Sequence, residues 1–234
     1  MNSLRDRLER AVVSIYSDVE ERALSVPATF EERVLWKEFA CCVLSSQVPY
    51  PLSVAAAEAI DRESVLHIEA LEDTEDRLVS ILRAPLIVDG AFRRYRFPAS
   101  RGRQLAAARV TVTRQAGTLG NLLEIHQDPA KLRSWLVENT LGMGPKQASM
   151  FLRNCGVSYD LAVLDRHVLE YMAEMGLCSA AQSSISKMSE YRRREDTLRS
   201  YASSLGAAVG LMDWAIWIVM RMFKQKSVTE ELLI

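Results

Sequence analysis

Residues 138–154 read ENTLGMGPKQASMFLRN, and two glycines around a methionine, then a proline, then a lysine decide how the chain is built there. Upstream, Asp128 is a natural N-cap with Pro129 at the first helical position. Leu132, Trp135 and Leu136 supply an apolar stripe that predicts a helix running to Thr140. Gly142 ends that helix, and Gly144-Pro145 opens a second one with the stripe Ala148, Phe151, Leu152. Two short helices joined by a glycine hairpin follow. The uncapped N–H groups at the start of the second helix, together with its dipole, attract a phosphate, and glycine leaves the approach open; an ordinary αα corner has the same local composition. Lys146 lies off the packed stripe, roughly 200° around the helix from Ala148 at 100° per residue.

Apolar residues recur at three- and four-residue spacing through most of the 234 residues, alternating strand patterns are scarce, and no internal repeat is visible. The fold class predicted is all-α, with ten or eleven helices. The composition, 49% hydrophobic and 25% charged, is that of a globular protein. A net charge of −1 argues against a protein that coats nucleic acid indiscriminately. Charge is nevertheless uneven. Met1 to Asp89 holds 17 acidic against 9 basic residues, whereas Gly90 to Leu123 holds seven arginines (Arg93, Arg94, Arg96, Arg101, Arg103, Arg109, Arg114) and no acid. That strip is expected to meet a polyanion, against the plainer alternative of a solvated helix face.

Cys41, Cys42, Cys155 and Cys178 show no disulfide, zinc or cluster spacing, which leaves reduced, mostly buried thiols and no metal site. The N-terminus lacks the apolar run of a signal peptide, and Leu205 to Met220 is too short to span a membrane. The expectation is a cytoplasmic (nucleoid) or nuclear protein without membrane partners.

Downstream, in DLAVLDRHVLEYMAEMG, the apolar run Leu161–Leu164 delivers Asp165 to the start of another helix. A helix N-cap is the plain reading of that aspartate. A lysine and a carboxylate converging on one site are a nucleophile and its electrostatic partner.

LGMGPK, ASMFLRN and an aspartate 19 residues beyond the lysine together resemble the helix-hairpin-helix signature of the endonuclease III superfamily of DNA glycosylases. Within it, GPKQASMFLRNCGVSYDLAVLDRHVLEYM is most similar to the second, archaeal-type family of 8-oxoguanine DNA glycosylase/AP lyases. LSSQVPYPLSVAAAEAI, YRFPASRGRQLAAA and MDWAIWIVMRMFKQK extend the likeness from about Leu44 onward.

The resemblance implies two helical lobes with the active-site cleft between them: residues 41–157 as a central lobe holding the hairpin, and 1–40 with 158–234 as the second. It implies a monomeric, cofactor-free enzyme acting on double-stranded DNA with a damaged base, a partner that is rotated out of the stack for the chemistry. Gly142, Met143, Gly144 and Pro145 would grip the phosphate chain. Lys146 would attack C1′ and hold the opened sugar as a Schiff base, and Asp165 would stabilise positive charge on that sugar. Gln47 would fill the gap left by the flipped base, against the alternative of a solvated helix end. His167 is read as a packed helix residue.

Trp217 would stack on the extruded purine, or else pack in the stripe Trp214, Trp217, Met220, Phe223. Asp213, a carboxylate inside an apolar helix, needs a partner or a cavity and would line the pocket. In the family the chain ends at a lysine whose carboxylate helps recognise the oxidised guanine. Lys226 aligns with it here, but SVTEELLI follows. The base removed therefore stays open between 8-oxoguanine, the first choice, and another modified purine. A non-catalytic module that binds bent or damaged DNA is the remaining alternative. The cysteines also lack the cluster spacing of endonuclease III relatives.

Overall fold

The structure, a computed structural model, describes residues 3–25, 31–67, 73–179, 185 and 187–231, from 225 onward by backbone alone. Eleven helices and one two-stranded ribbon are present among them. The chain divides into two compact units: one contains Met1–Pro27 and Ser158–Ile234, the other Ala28–Val157.

The Ala28–Val157 unit contains α2 (Glu32–Leu44), α3 (Tyr50–Arg62), α4 (Thr74–Arg83), β1 (Leu86–Val88), β2 (Ala91–Arg93), α5 (Pro98–Ala116), α6 (Leu119–Ile125), α7 (Pro129–Asn139) and α8 (Pro145–Asn154). The boundary expected at Cys41 falls inside α2, and the bonds along that helix explain why it belongs wholly here. The Glu32 carboxylate accepts from the Leu119 and Gly120 N–H groups at 2.8 and 3.0 Å, and so caps α6. Arg33 makes a two-bond fork to Asp61 on α3, and Asn154 at the end of α8 donates to Glu38 at 2.7 Å. Phe39, fully buried, meets Trp36 and Phe151 edge to face at 5.3 and 5.5 Å, which ties the core of α2 to that of α8.

The β ribbon is an addition to the all-helical expectation. Asp89-Gly90, both at positive φ (51° and 75°), form the two-residue turn that matches strand twist, and Leu86, Ile87 and Val88 pair with Arg93, Phe92 and Ala91.

The second unit contains α1 (Leu4–Ser25), α9 (Arg166–Glu174), α10 (Met188–Ser204) and α11 (Val209–Glu231). Leu8, Val12 and Val19 of α1 share a core with Val168, Leu169 and Met172 of α9, Tyr191 and Leu198 of α10, and Met212, Ala215 and Ile216 of α11. Two pairs at its edge are hydrogen-bonded: Tyr201 donates to Glu9 at 2.9 Å, and the Ala208 N–H donates to the Tyr16 hydroxyl at 2.9 Å. Among the described residues no single helix is long and apolar enough to cross a membrane. Cys41, Cys42 and Cys155 are buried and Cys178 is half-buried, all as free thiols; burial, then Glu38, pushes the Cys41 thiol up to about 12.

Candidate active site

The hairpin forms as the local chemistry dictates. Asp128 caps α7, accepting from the Ala130 and Lys131 N–H groups at 2.9 and 3.2 Å, and Pro129 occupies the first turn. Arg133, buried, donates to Ser149 at 3.1 Å and links α7 to α8. Gly142 sits at φ +85°, where the chain reverses; a Cβ there would collide with Gln104 Oε1. The Met143 side chain is buried, so it anchors the loop and leaves only its backbone on offer.

Gly144 is the N-cap residue of α8 without any side-chain cap, and the first helical bond runs from the Ala148 N–H to the Gly144 carbonyl at 2.9 Å. The Lys146 and Gln147 N–H groups are left without partners inside the helix, which makes the α8 start a place for an anion. Lys146 is half-buried in this first turn. Within its own unit no hydrogen bond or ion pair among the described residues engages its amine.

Gln47 is exposed and holds φ +61°, a left-handed conformation unusual for a residue with a Cβ. It lies in the turn between α2 and α3. Two long-range bonds brace that turn: Tyr95 donates to the Leu44 carbonyl at 2.7 Å, and Arg101 donates to the Ser46 carbonyl at 3.3 Å. Arg101 also donates to Gln104 Oε1 at 2.5 Å, and Gln104 is the residue packed against Gly142. One arginine on α5 thus touches both the Gln47 turn and the support of the glycine hairpin.

Asp165 caps α9. Its Oδ1 accepts from the Val168 N–H at 2.9 Å, and the side chain is half-buried with its second oxygen unused by the cap. The segment that leads to it is held by a row of side-chain acceptors. The Ala162 N–H donates to Glu195 at 2.8 Å, the Val163 N–H to Asp213 at 2.6 Å and the Leu164 N–H to the Tyr191 hydroxyl at 3.0 Å. All three acceptor residues are buried. Gly210 completes the seat, because a Cβ there would lie 2.8 Å from the carbonyl oxygens of both Tyr159 and Leu161. Asp213 therefore finds its partner in the backbone that positions Asp165. Glu195 and Tyr191, on α10, do the same work and carry no sequence signature, since each meets residues about thirty positions away.

Elsewhere on this unit, Trp217 is half-buried and carries the Arg221 guanidinium over its ring at 4.5 Å. His167 is half-buried beside Asp165, Glu170 and Lys224. Burial pushes it below its ordinary value while Asp165 pulls it up. Among the described residues no cluster of three or more His, Cys, Asp or Glu could hold a metal ion.

Over residues 19–207 the chain matches the family model described as 8-oxoguanine DNA glycosylase, and it belongs to that helix-hairpin-helix family. Among relatives, it is 31% identical over 224 residues to the 8-oxoguanine DNA glycosylase/AP lyase of Thermotoga maritima, covering 94% of this chain and 98% of the relative. It is 29% identical over 197 residues to the enzyme of the same description from Sulfurisphaera tokodaii, covering 84% of each. The crystal structure of the 8-oxoguanine DNA glycosylase of Thermotoga maritima superposes with a TM-score of 0.71 at 28% identity, over 92% of this chain and 94% of that one.

Proposed function

We propose that the protein removes 8-oxoguanine from duplex DNA and then cuts the strand at the resulting site, with Lys146 as nucleophile. The observation that carries this reading is the placement of Lys146 in the first turn of α8, directly behind a glycine hairpin whose helix start has no side-chain cap. A phosphate held on that helix start brings a sugar within reach of the amine, an arrangement worth a large part of a catalytic barrier because it removes the search for geometry.

The neutral Lys146 amine attacks C1′ as the bond from C1′ to the base breaks and the base leaves with a proton. The C1′–O4′ bond then breaks, O4′ takes up a proton from water, and an iminium is left between Lys146 Nζ and C1′. Loss of a C2′ proton expels the 3′ phosphate by β-elimination, and water finally hydrolyses the iminium to free the lysine. Asp165 has a carboxylate oxygen beyond the one used for capping, and this supports its role in stabilising the positive charge on the sugar. Gln47, held at positive φ on a braced turn, fits a residue that takes the place of the extruded base, and Trp217 offers a ring face for stacking. Asp213 acts through the Val163 backbone as a positioning residue for Asp165. Acting on DNA, the protein would work in the nucleoid or nucleus.

Borohydride trapping on duplexes carrying 8-oxoguanine tests the proposal. A covalent adduct is expected with the wild type and none with Lys146→Gln; a wild-type protein that traps nothing refutes it. A different modified purine is the second reading, favoured by the α11 backbone running on past Lys226 to Glu231. Adducts on another lesion with none on 8-oxoguanine would establish that reading instead.

A further inference from the structure

The β1–β2 ribbon exposes what such ribbons ordinarily hide. Ile87 and Phe92 are register partners, so their side chains emerge side by side on one face, and 65% and 75% of their surfaces face solvent. The Asp89-Gly90 turn fixes that register, and Leu86 on the opposite face is buried. The pair is therefore held in place by structure on both sides.

Arginines follow immediately. Arg93, Arg94 and Arg96 are all exposed, and no carboxylate among the described residues pairs with them in this unit. Two of their neighbours in the arginine strip are committed to the fold, Arg101 to Ser46 and Gln104 and Arg109 to Val65 and Thr74, while Arg103 forms a surface ion pair with Glu75. Tyr95, between Arg94 and Arg96, is buried and bonded to Leu44, three positions before Gln47. The ribbon thus enters the core beside the turn that carries the proposed wedge.

An apolar pair followed in the chain by guanidinium groups that no carboxylate among the described residues of this unit neutralises matches a ligand that is anionic outside and apolar between its charges. Duplex DNA has that character, with phosphates along the edges of a groove lined by sugars and base edges. We infer that the β1–β2 ribbon and the segment after it form a second DNA-binding surface, with Arg94 and Arg96 on phosphates and Phe92 with Ile87 in the minor groove next to the extruded nucleotide. This rests on the reading of the protein as a DNA glycosylase and adds a surface outside the hairpin.

The test is fluorescence anisotropy on a duplex with a stable abasic analogue, titrated with salt, comparing wild type, Phe92→Ser and the double variant Arg94→Ala, Arg96→Ala. Removing one arginine from a phosphate lowers the slope of log K against log salt by about 0.9, so the double variant is expected to lower it by about 1 to 2. Phe92→Ser is expected to weaken binding about tenfold with the slope unchanged. All substituted side chains are exposed, and equal thermal midpoints verify the folds. Wild-type slopes and affinities in both variants overturn the inference, as does a wild type that binds no duplex. A change in sedimentation with Phe92→Ser in place of a change in affinity overturns it in favour of an interface between copies of the chain. Borohydride trapping at saturating protein keeps the two proposals apart: both variants should still trap, and a wild type that binds DNA through the ribbon without trapping defeats only the catalytic reading.

Discussion

Gly142→Ala is the substitution whose cost can be worked out most directly. Alanine at φ +85° carries the penalty of the left-handed region, roughly 1–2 kcal/mol. The new Cβ would also collide with Oε1 and lie 2.7 Å from Cδ and 3.3 Å from Cβ of Gln104, so that side chain must swing away. Doing so removes the acceptor of the Arg101 bond, a charge-assisted interaction worth about 1.5–3 kcal/mol if nothing replaces it. Partial replacement by water leaves a total of roughly 2–4 kcal/mol, which at about 2–4 °C per kcal/mol for a chain of this length lowers the thermal midpoint by roughly 5–15 °C. Differential scanning calorimetry reads this, with duplex binding measured in parallel. Combining Gly142→Ala with Gln104→Ala separates the two contributions: measured against Gln104→Ala alone, which already lacks the Arg101 bond, the glycine substitution adds only the backbone penalty and a 3.3 Å contact with the Cβ at position 104. A Gly142→Ala protein within about 1 °C of wild type that also binds DNA normally would refute both the turn geometry and the role given to Gln104.

Asparagine caps helices as well as aspartate does, so Asp165→Asn should keep the thermal midpoint while excision falls by orders of magnitude; Asp165→Ala should lose both activity and about 1 kcal/mol in chemical denaturation. Asp213→Ala leaves the buried Val163 N–H unpaired and should lower stability by about 1–3 kcal/mol, together with a slower single-turnover excision rate, whereas Asp213→Asn keeps an acceptor and should lose less of each. His167, pushed below its ordinary value of 6.5 by burial, binds its proton more readily in the unfolded chain. Its contribution is present above pH 6.5 and is lost as pH falls below that value, so urea titrations from pH 7 to pH 5 should show a shallower decline for His167→Asn than for wild type. Arg101→Ala frees the carbonyl of Ser46 and the side chain of Gln104 together. It should therefore reduce single-turnover excision of a matched lesion more than binding to undamaged duplex, measured side by side.

Features set by neighbouring residues are legible from the chain alone. Asp128 with Pro129, Gly142, and Gly144 with Pro145 mark helix ends through their own hydrogen-bonding capacity and backbone freedom, and each stands at the end its chemistry predicts. The Asp89-Gly90 turn is equally local, yet strands of three residues are too short for alternation to register, so the ribbon has no readable pattern. The allegiance of α2 depends on Glu32 reaching Leu119 and Arg33 reaching Asp61, pairings that no window along the chain contains. Asp213 can be singled out by its apolar surroundings, but its partner cannot. Glu195 and Tyr191 are invisible because α10 looks like an ordinary charged helix until it is set against Ala162 and Leu164.

The Met1–Pro27 and Ser158–Ile234 segments build one compact unit from either side of Ala28–Val157, and α1 finds its main packing partner in α11. On a ribosome, α1 emerges well before α11 and must wait for it. The intervening Ala28–Val157 segment is complete long before that and can fold while synthesis continues. A premature stop shortly after Val157 would release a fragment that carries Lys146 without Asp165 and α1 without α11, and the apolar stripe of Leu8, Val12 and Val19 would stand open to chaperones and proteases.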